Sequence, residues 1–261
     1  MRNKQKPRNG FENLADSKVE TDRDSNKFDT SPKVFQGSKL KNPLFIRENY
    51  PLTHIQQQIV EAALDKKTQI IIIDGVVGTG KTFVSILSAL KLLNDKRISQ
   101  LVFIRSLIQA KDGETGFLSG DLSDKTYYYN IPLFDKLDEL LPKNDINLLI
   151  KENRVLTYPT AMLRGYSFNT SALILDEAQN CHFDSIFTVM TRIGKFSKVF
   201  ILGDTSNQND YGAKSGFKKC CDVFSDQESA DNGIRFFKLD ETMIVRNSII
   251  GFILKKLKSV K

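Results

Sequence analysis

The chain has 261 residues, 40% of them hydrophobic and 26% charged, with a net charge of +7. That length suits one large domain, or a domain with an arm. No apolar stretch approaches the ~20 residues of a membrane span, and the opening MRNKQKPRNG is charged where a secretory leader would be apolar.

The charge is concentrated at the two ends. Residues 1–42 carry +4, and Lys255, Lys256, Lys258 and Lys261 add another +4, which leaves −1 on residues 43–254. Two readings fit these ends: solvated tails that aid solubility, or an electrostatic contact with nucleic acid. Within residues 1–42, Phe11, Leu14, Val19, Phe28, Val34 and Phe35 are scattered without period. Such a segment buries too little apolar surface to offset its ordering entropy, so a disordered basic arm is expected over 1–42 and a folded domain over 43–261.

The first predicted element of that domain is a turn at Leu52-Thr53, followed by an amphipathic helix ending near Asp65. Gln56, Gln57 and Gln58 lie on it. A glutamine just ahead of a nucleotide-binding strand is placed to bond an adenine edge, and three adjacent glutamines are equally ordinary exposed helix formers. Next, Ile70-Ile71-Ile72-Ile73 reads as a buried strand running into Gly75-Val76-Val77-Gly78-Thr79-Gly80-Lys81-Thr82, which opens a helix carrying Phe83, Val84, Ile86, Leu87, Leu90 and Leu93. This is the G-x-x-x-x-G-K-T pattern in its required strand–loop–helix setting. Its glycines let successive N–H groups turn inward onto phosphate oxygens, and the helix N-terminus adds unpaired donors and positive dipole. Lys81 is then the residue for the β- and γ-phosphates, and the Thr82 hydroxyl a ligand for Mg²⁺. The chain is expected to bind a nucleoside triphosphate.

A second buried strand, Leu101 to Ile104, ends in Arg105, and a long loop over 109–124 follows. A loop of that length in a compact domain is usually functional. Lys125 to Leu141 reads as a helix broken at Pro132, Asp145 to Lys151 as a short helix, and Arg154 to Tyr158 as a strand. Ala172-Leu173-Ile174-Leu175-Asp176-Glu177 is the second chemical signal: a buried parallel strand delivering two carboxylates to its C-terminal end. Asp176 suits the metal's water shell, and Glu177 suits a base that orients and deprotonates water. A helix from Phe183 to Ile193 and a strand from Lys198 to Leu202 ending at Asp204 come next. Gln208 follows at a distance that suits a sensor of the γ-phosphate or attacking water, while Asp204 with Ser206 and Asn207 also reads as a plain turn. Ser215 to Phe224 is a predicted helix, Ile234 to Leu239 a strand, and Asn247 to Lys258 a closing helix. Cys181, Cys220 and Cys221 are too few for a disulfide framework, and with His54, His182 and no C-x-x-C they offer no zinc site. Reduced thiols in a cytoplasmic protein are the simplest expectation.

Taken in order, GVVGTGKT, GFLSGDLSDK, MLRG, LILDEAQN, TRIG and GD-x-x-x-Q resemble the PhoH-like ATPases, a family named for phosphate-starvation-inducible proteins and frequent among phages. The resemblance covers roughly Pro51 to Phe252. It implies an α/β fold with a RecA-like P-loop core, a mainly parallel sheet with helices on both faces, similar to the first motor domain of superfamily 1 helicases. It assigns Gln56, within Thr53-x-x-Gln56, to the adenine. It implies ATP and Mg²⁺ as ligands, and ATP hydrolysis with Lys81, Glu177 and Gln208 as catalytic residues. It also implies a homo-oligomeric ring, a hexamer in the family pattern, in which a neighbour supplies an arginine; Arg164, Arg192 and Arg246 are the candidates. Two departures stand out. Three residues separate Asp204 from Gln208 where the family has two, so Asn207 or Gln208 takes the sensor place, and the segment after Arg105 lacks the family's usual proline. No second acidic cluster suggests the nuclease domain some members carry.

Three functions compete at this point: an ATPase, an oligomeric motor or remodeller acting on single-stranded RNA or DNA, and a regulatory module that binds nucleotide without turnover. Retention of Glu177 argues against the last. One motor core, with too few residues for another, argues against a helicase that works as a monomer. A phage-encoded chain would act in the host cytoplasm.

Overall fold

The computed structural model describes residues 39–106, 122–206 and 215–258, with residues 122–129 and 258 described by their backbone alone. Most of the expected arm, residues 116–121 of the GFLSGDL segment, Asn207 and Gln208 lie outside the described residues.

Six strands form one sheet in the order β3-β2-β4-β5-β1-β6: β1 (Ile70–Gly75), β2 (Gln100–Arg105), β3 (Val155–Pro159), β4 (Ser171–Asp176), β5 (Lys198–Gly203) and β6 (Ile234–Leu239). Every pairing is parallel. Buried parallel strands read as unbroken apolar runs because both of their faces are covered, and the packing shows how each run divides. Ile71, Ile73, Leu101, Phe103, Ala172, Ile174, Phe200 and Leu202 face one core. Ile70, Ile72, Val102, Ile104, Leu173, Leu175, Val199 and Ile201 face the other. The two-residue period of a strand thus splits four adjacent sequences between two layers. The RecA-like α/β expectation holds, with an all-parallel sheet among the described residues.

The first core is covered by α1 (His54–Leu64), α2 (Lys81–Asn94), α3 (Leu122–Leu140) and α4 (Lys143–Lys151). The second is covered chiefly by α5 (Phe183–Met190) and α6 (Phe217–Phe224). Two further helices follow: α7 (Gln227–Asp231), which the sequence pattern did not suggest, and α8 (Ser248–Lys258). Helix α1 begins at Thr53, whose hydroxyl accepts the Gln56 N–H while the Gln56 side chain accepts the Thr53 N–H, a reciprocal capping box.

One expectation is corrected. Helix α3 continues through Pro132 without a break. A mid-helix proline costs about 3 kcal/mol, but Leu133, Leu137 and Leu140 are fully buried in the first core, and their burial outweighs it. Near the start of the described residues, Leu40 is 2% exposed in the same core, and Leu44 exchanges two hydrogen bonds with the Asn94 side chain. The three cysteines are free and buried, and burial raises the Cys181 and Cys220 thiols to about 12.

At the C-terminal edge of the sheet, Gly203 closes β5 against the ring of Phe217, and a Cβ placed on it would lie 2.4 Å from that ring. Neither the fully buried phenyl ring nor the central strand can yield freely. Gly203→Ala is therefore expected to destabilise the fold by about 1–3 kcal/mol through overpacking. Thermal denaturation should show a fall in Tm of several degrees, and Phe217→Leu in the same chain should restore part of it.

Candidate nucleotide site

In a parallel sheet all strands end along one edge, and strand order decides which ends are neighbours. Here β2, β4, β5 and β1 lie side by side, with Arg105, Asp176, Gly203-Asp204 and Asp74-Gly75 at their ends. Neighbouring strands are about 4.8 Å apart, so β1 and β4 are separated by about 10 Å with β5 between them. Helix α2 rises from the glycine loop across that gap.

The loop has the conformation its composition predicts. Gly80 stands at φ +79°, a left-handed value that a side chain would strain, and its place is further closed by the Gln56 amide, 2.7 Å from where a Cβ would sit. Thr79 is fully buried, its hydroxyl donating to the Val76 carbonyl at 2.8 Å. The Lys81 ammonium folds back to donate to the carbonyls of Gly75 (2.6 Å) and Val76 (3.2 Å). Burial lowers its pKa, and Asp204, Glu177, Asp176 and Asp74 act in the opposite sense.

Thr82 and Asp176, 94 residues apart in sequence, meet directly: the threonine hydroxyl donates to Asp176 Oδ1 at 3.1 Å. Two oxygen donors at the end of a phosphate cradle are the hard ligands that Mg²⁺ prefers. Asp176 is 4% exposed, and burial, reinforced by the neighbouring Glu177 charge, pushes its pKa up to about 6 against the opposing pull of Arg105 and Thr82. Glu177 follows in a left-handed conformation (φ +56°, ψ 42°), which sharply turns the chain after β4. One of its oxygens accepts from Gln179 Nε2, and Gln179 Oε1 accepts the backbone N–H of Asp204 at 3.1 Å. Asp204 forms a turn with the N–H and hydroxyl of Ser206 through Oδ1, while its Oδ2 is buried without a hydrogen bond. The turn reading of this residue is correct and incomplete, because its charge also faces Lys81.

Four residues beyond the sequence-based set belong to this edge. Asp74 accepts both the N–H and the hydroxyl of Thr205, tying the end of β1 to the turn after β5. Gln179 links Glu177 to Asp204. Arg105 pairs with Asp176 at 3.7 Å and Glu177 at 3.9 Å. The visible signal for Asp74 and Arg105 was a charge closing an otherwise apolar strand; Gln179 and Thr205 carried none.

Gln56 is brought to the loop and is 3% exposed. Its carbonyl accepts from Thr53 N–H at 3.0 Å and its Nε2 donates to the Thr79 carbonyl at 3.0 Å, so it braces the cradle. The three arginines are dispersed. Arg246 lies on a strap, residues 244–247, that runs over the loop: Val245 N–H donates to the Gly78 carbonyl at 3.0 Å, and a Cβ on Gly78 would lie 3.6 Å from Arg246 Cβ. Arg164 is exposed after the short 3-10 helix Thr160–Leu163 that follows β3. Arg192 donates to the Tyr166 carbonyl, and its own carbonyl accepts from Phe168 N–H just ahead of β4. That is the opposite edge of the sheet, a strand length of about 20 Å from the loop.

Residues 50–258 match the family described as PhoH-like protein. A PhoH-like protein of Bacillus subtilis is 32% identical over 192 residues, 73% of this chain and 58% of that protein. Protein PhoH of Escherichia coli K12 is 30% identical over 206 residues, 78% of this chain and 56% of its own length. The chain thus spans a little over half the length of these curated relatives. Among solved structures, the large terminase from a thermophilic bacteriophage overlays with a TM-score of 0.44 at 10% identity, covering 72% of this chain and 46% of that one. Bacteroides Pif1 in complex with ADP-AlF4 gives 0.36 at 15%, covering 74% and 42%.

The raised Asp176 pKa has a definite consequence for stability without metal. The folded state holds that proton more tightly than the unfolded chain, so this group's contribution to stability falls as pH rises from about 4 to about 6. Asp176→Asn removes the buried charge. In chelator, its Tm should match that of the parent near pH 4, exceed it progressively up to pH 6 and stay higher above, as read by scanning fluorimetry across pH 4–8.

Proposed function

The chain belongs to the PhoH-like protein family, and from that premise we propose that it binds ATP with Mg²⁺ and hydrolyses it. The observation that carries this reading is the meeting of Thr82 with Asp176 beside a glycine cradle and a half-buried lysine. In it, the backbone N–H groups of Gly75 to Thr82 and the Lys81 ammonium bind the phosphates, with Lys81 exchanging its two loop carbonyls for phosphate oxygens. Thr82 and Asp176 hold the Mg²⁺, which when bound neutralises charge developing on the phosphates. Glu177 orients the attacking water and accepts its proton, while Gln179 holds the far carboxylate oxygen. The buried Oδ2 of Asp204, or the sensor place assigned to Asn207 or Gln208, supplies a further acceptor for that water. Gln56 meets the adenine edge with its second Nε2 hydrogen while remaining tied to the loop.

Arg246 is the arginine this geometry favours for the γ-phosphate, since the strap that carries it rests on the loop of the same chain. Arg164, exposed at the edge where the strands end, suits delivery to a neighbouring subunit. Arg192 is more simply a brace for the entry to β4. Self-association into a ring, hexameric by the family resemblance, is supported by the apolar stripe on α8, where Ile249, Phe252, Ile253 and Leu257 are each about half exposed. The motor reading, with single-stranded RNA or DNA as partner, rests on Lys255 and Lys256 on that helix.

Glu177→Gln keeps the size of the side chain and removes the base. It should still bind ATP while turnover falls ~10²–10⁴-fold; an unchanged rate in a phosphate-release assay would place the base elsewhere. Lys81→Ala should abolish tight nucleotide binding with the fold intact by circular dichroism. Mixing Lys81→Ala with Arg246→Ala should restore no turnover if Arg246 acts within its own chain, whereas a mixture with Arg164→Ala regains activity if that arginine crosses to a neighbour. Repeating the assay with single-stranded RNA and DNA tests the motor reading through stimulation of turnover.

A further inference from the structure

Strand β2 is buried along its whole length until Arg105, which is half-buried at the C-terminal end. Arg105 is in direct register with Asp176 on β4, so the two side chains leave adjacent strands at the same level and on the same face. Its Nε lies 3.7 Å from Asp176 Oδ2, and its Nη2 lies 3.9 Å from Glu177 Oε1. These are ion pairs too long for direct hydrogen bonds. The other oxygen of each carboxylate is held by a neutral donor, Thr82 on Asp176 and Gln179 on Glu177. One planar guanidinium therefore serves as counter-ion to the acid pair from the side opposite those donors.

We propose that Arg105 is a positioning residue for both carboxylates, holding Glu177 in place and acting as a resident cation with which Mg²⁺ competes for Asp176. This rests on the ATP–Mg²⁺ reading above. Two consequences separate along different properties of the side chain. Competition with a metal depends on charge, because any cation this close to Asp176 repels another. The placement of Glu177 depends on the fork, since a guanidinium spans two carboxylates and a lysine ammonium meets them as a single point.

Arg105→Ala should then ease the metal requirement while slowing turnover. The Mg²⁺ concentration that half-saturates the tightening of a fluorescent ADP analogue should fall about 3–10-fold, the site having lost a competing cation. Turnover number should also fall, by about 10–100-fold, as Glu177 loses one of its two holds. A residue that merely stabilised the fold would lower turnover without easing the metal requirement. Arg105→Lys keeps the charge and loses the fork, so its Mg²⁺ requirement should stay at the parent value while turnover still falls. Arg105→Gln repeats the charge loss at similar size, should the alanine variant melt too low to assay. The inference is overturned if the Mg²⁺ requirement of the neutral variants is unchanged or rises, or if their turnover equals that of the parent. Failure of the parent protein to bind the nucleotide at any Mg²⁺ concentration would instead overturn the functional reading, and this inference with it.

Discussion

A half-buried ammonium faces four carboxylates supplied by three neighbouring strand ends. Lys81 at the start of α2 meets the charges of Asp74 from β1, Asp204 from the end of β5, and Asp176 and Glu177 from β4. The three aspartates are buried, and removing an isolated charge from water is costly. Each carboxylate takes a short-range donor: Thr205 for Asp74, Ser206 for Asp204, Thr82 for Asp176 and Gln179 for Glu177. What remains is an excess of negative charge, and burial together with the Glu177 charge raises the Asp176 pKa.

The phosphate loop is supported by segments from both ends of the folded chain. Gln56 of α1 holds the Thr79 carbonyl, and Val245 of the strap holds the Gly78 carbonyl. The capping box that starts α1 uses the same Gln56 side chain, so the helix terminus and the loop share one residue. The family match over residues 50–258 runs from just before α1 to the end of α8 and so takes in both supports. Position along the chain is a poor guide to importance here: residues about 190 apart in sequence hold the two sides of one eight-residue loop.

One strained backbone position also falls at this edge. Glu177 is the one non-glycine residue beside the phosphate loop with a positive φ among the described residues. Such a conformation costs of order 1 kcal/mol and persists where its surroundings over-determine it. Gln179 and Arg105 provide that surrounding hold, one on each oxygen of the carboxylate. The turn takes Glu177 away from the line of β4, so that the two adjacent acidic side chains meet different donors, Thr82 and Gln179.

The strands and the glycine loop were legible in the sequence for a local reason. Apolar runs of the right length, and glycine at places needing left-handed φ, are properties of the chain and not of its surroundings. Ile70 to Thr82 and Ala172 to Glu177 therefore carried the fold class and the main candidate residues by themselves. Pro132 misled because propensity is local while the burial of Leu133 and Leu137 that overrides it is not. Sequence alone determined that a phosphate cradle and an acidic strand were present. Only the tertiary structure decided what they would meet: strand order set β5 between them, register brought Arg105 level with Asp176, and chain return laid Arg246 beside the loop while Arg192 went to the far edge. Those outcomes depend on which strand ends become neighbours, and a parallel sheet settles that through long crossovers that leave no local mark in the sequence.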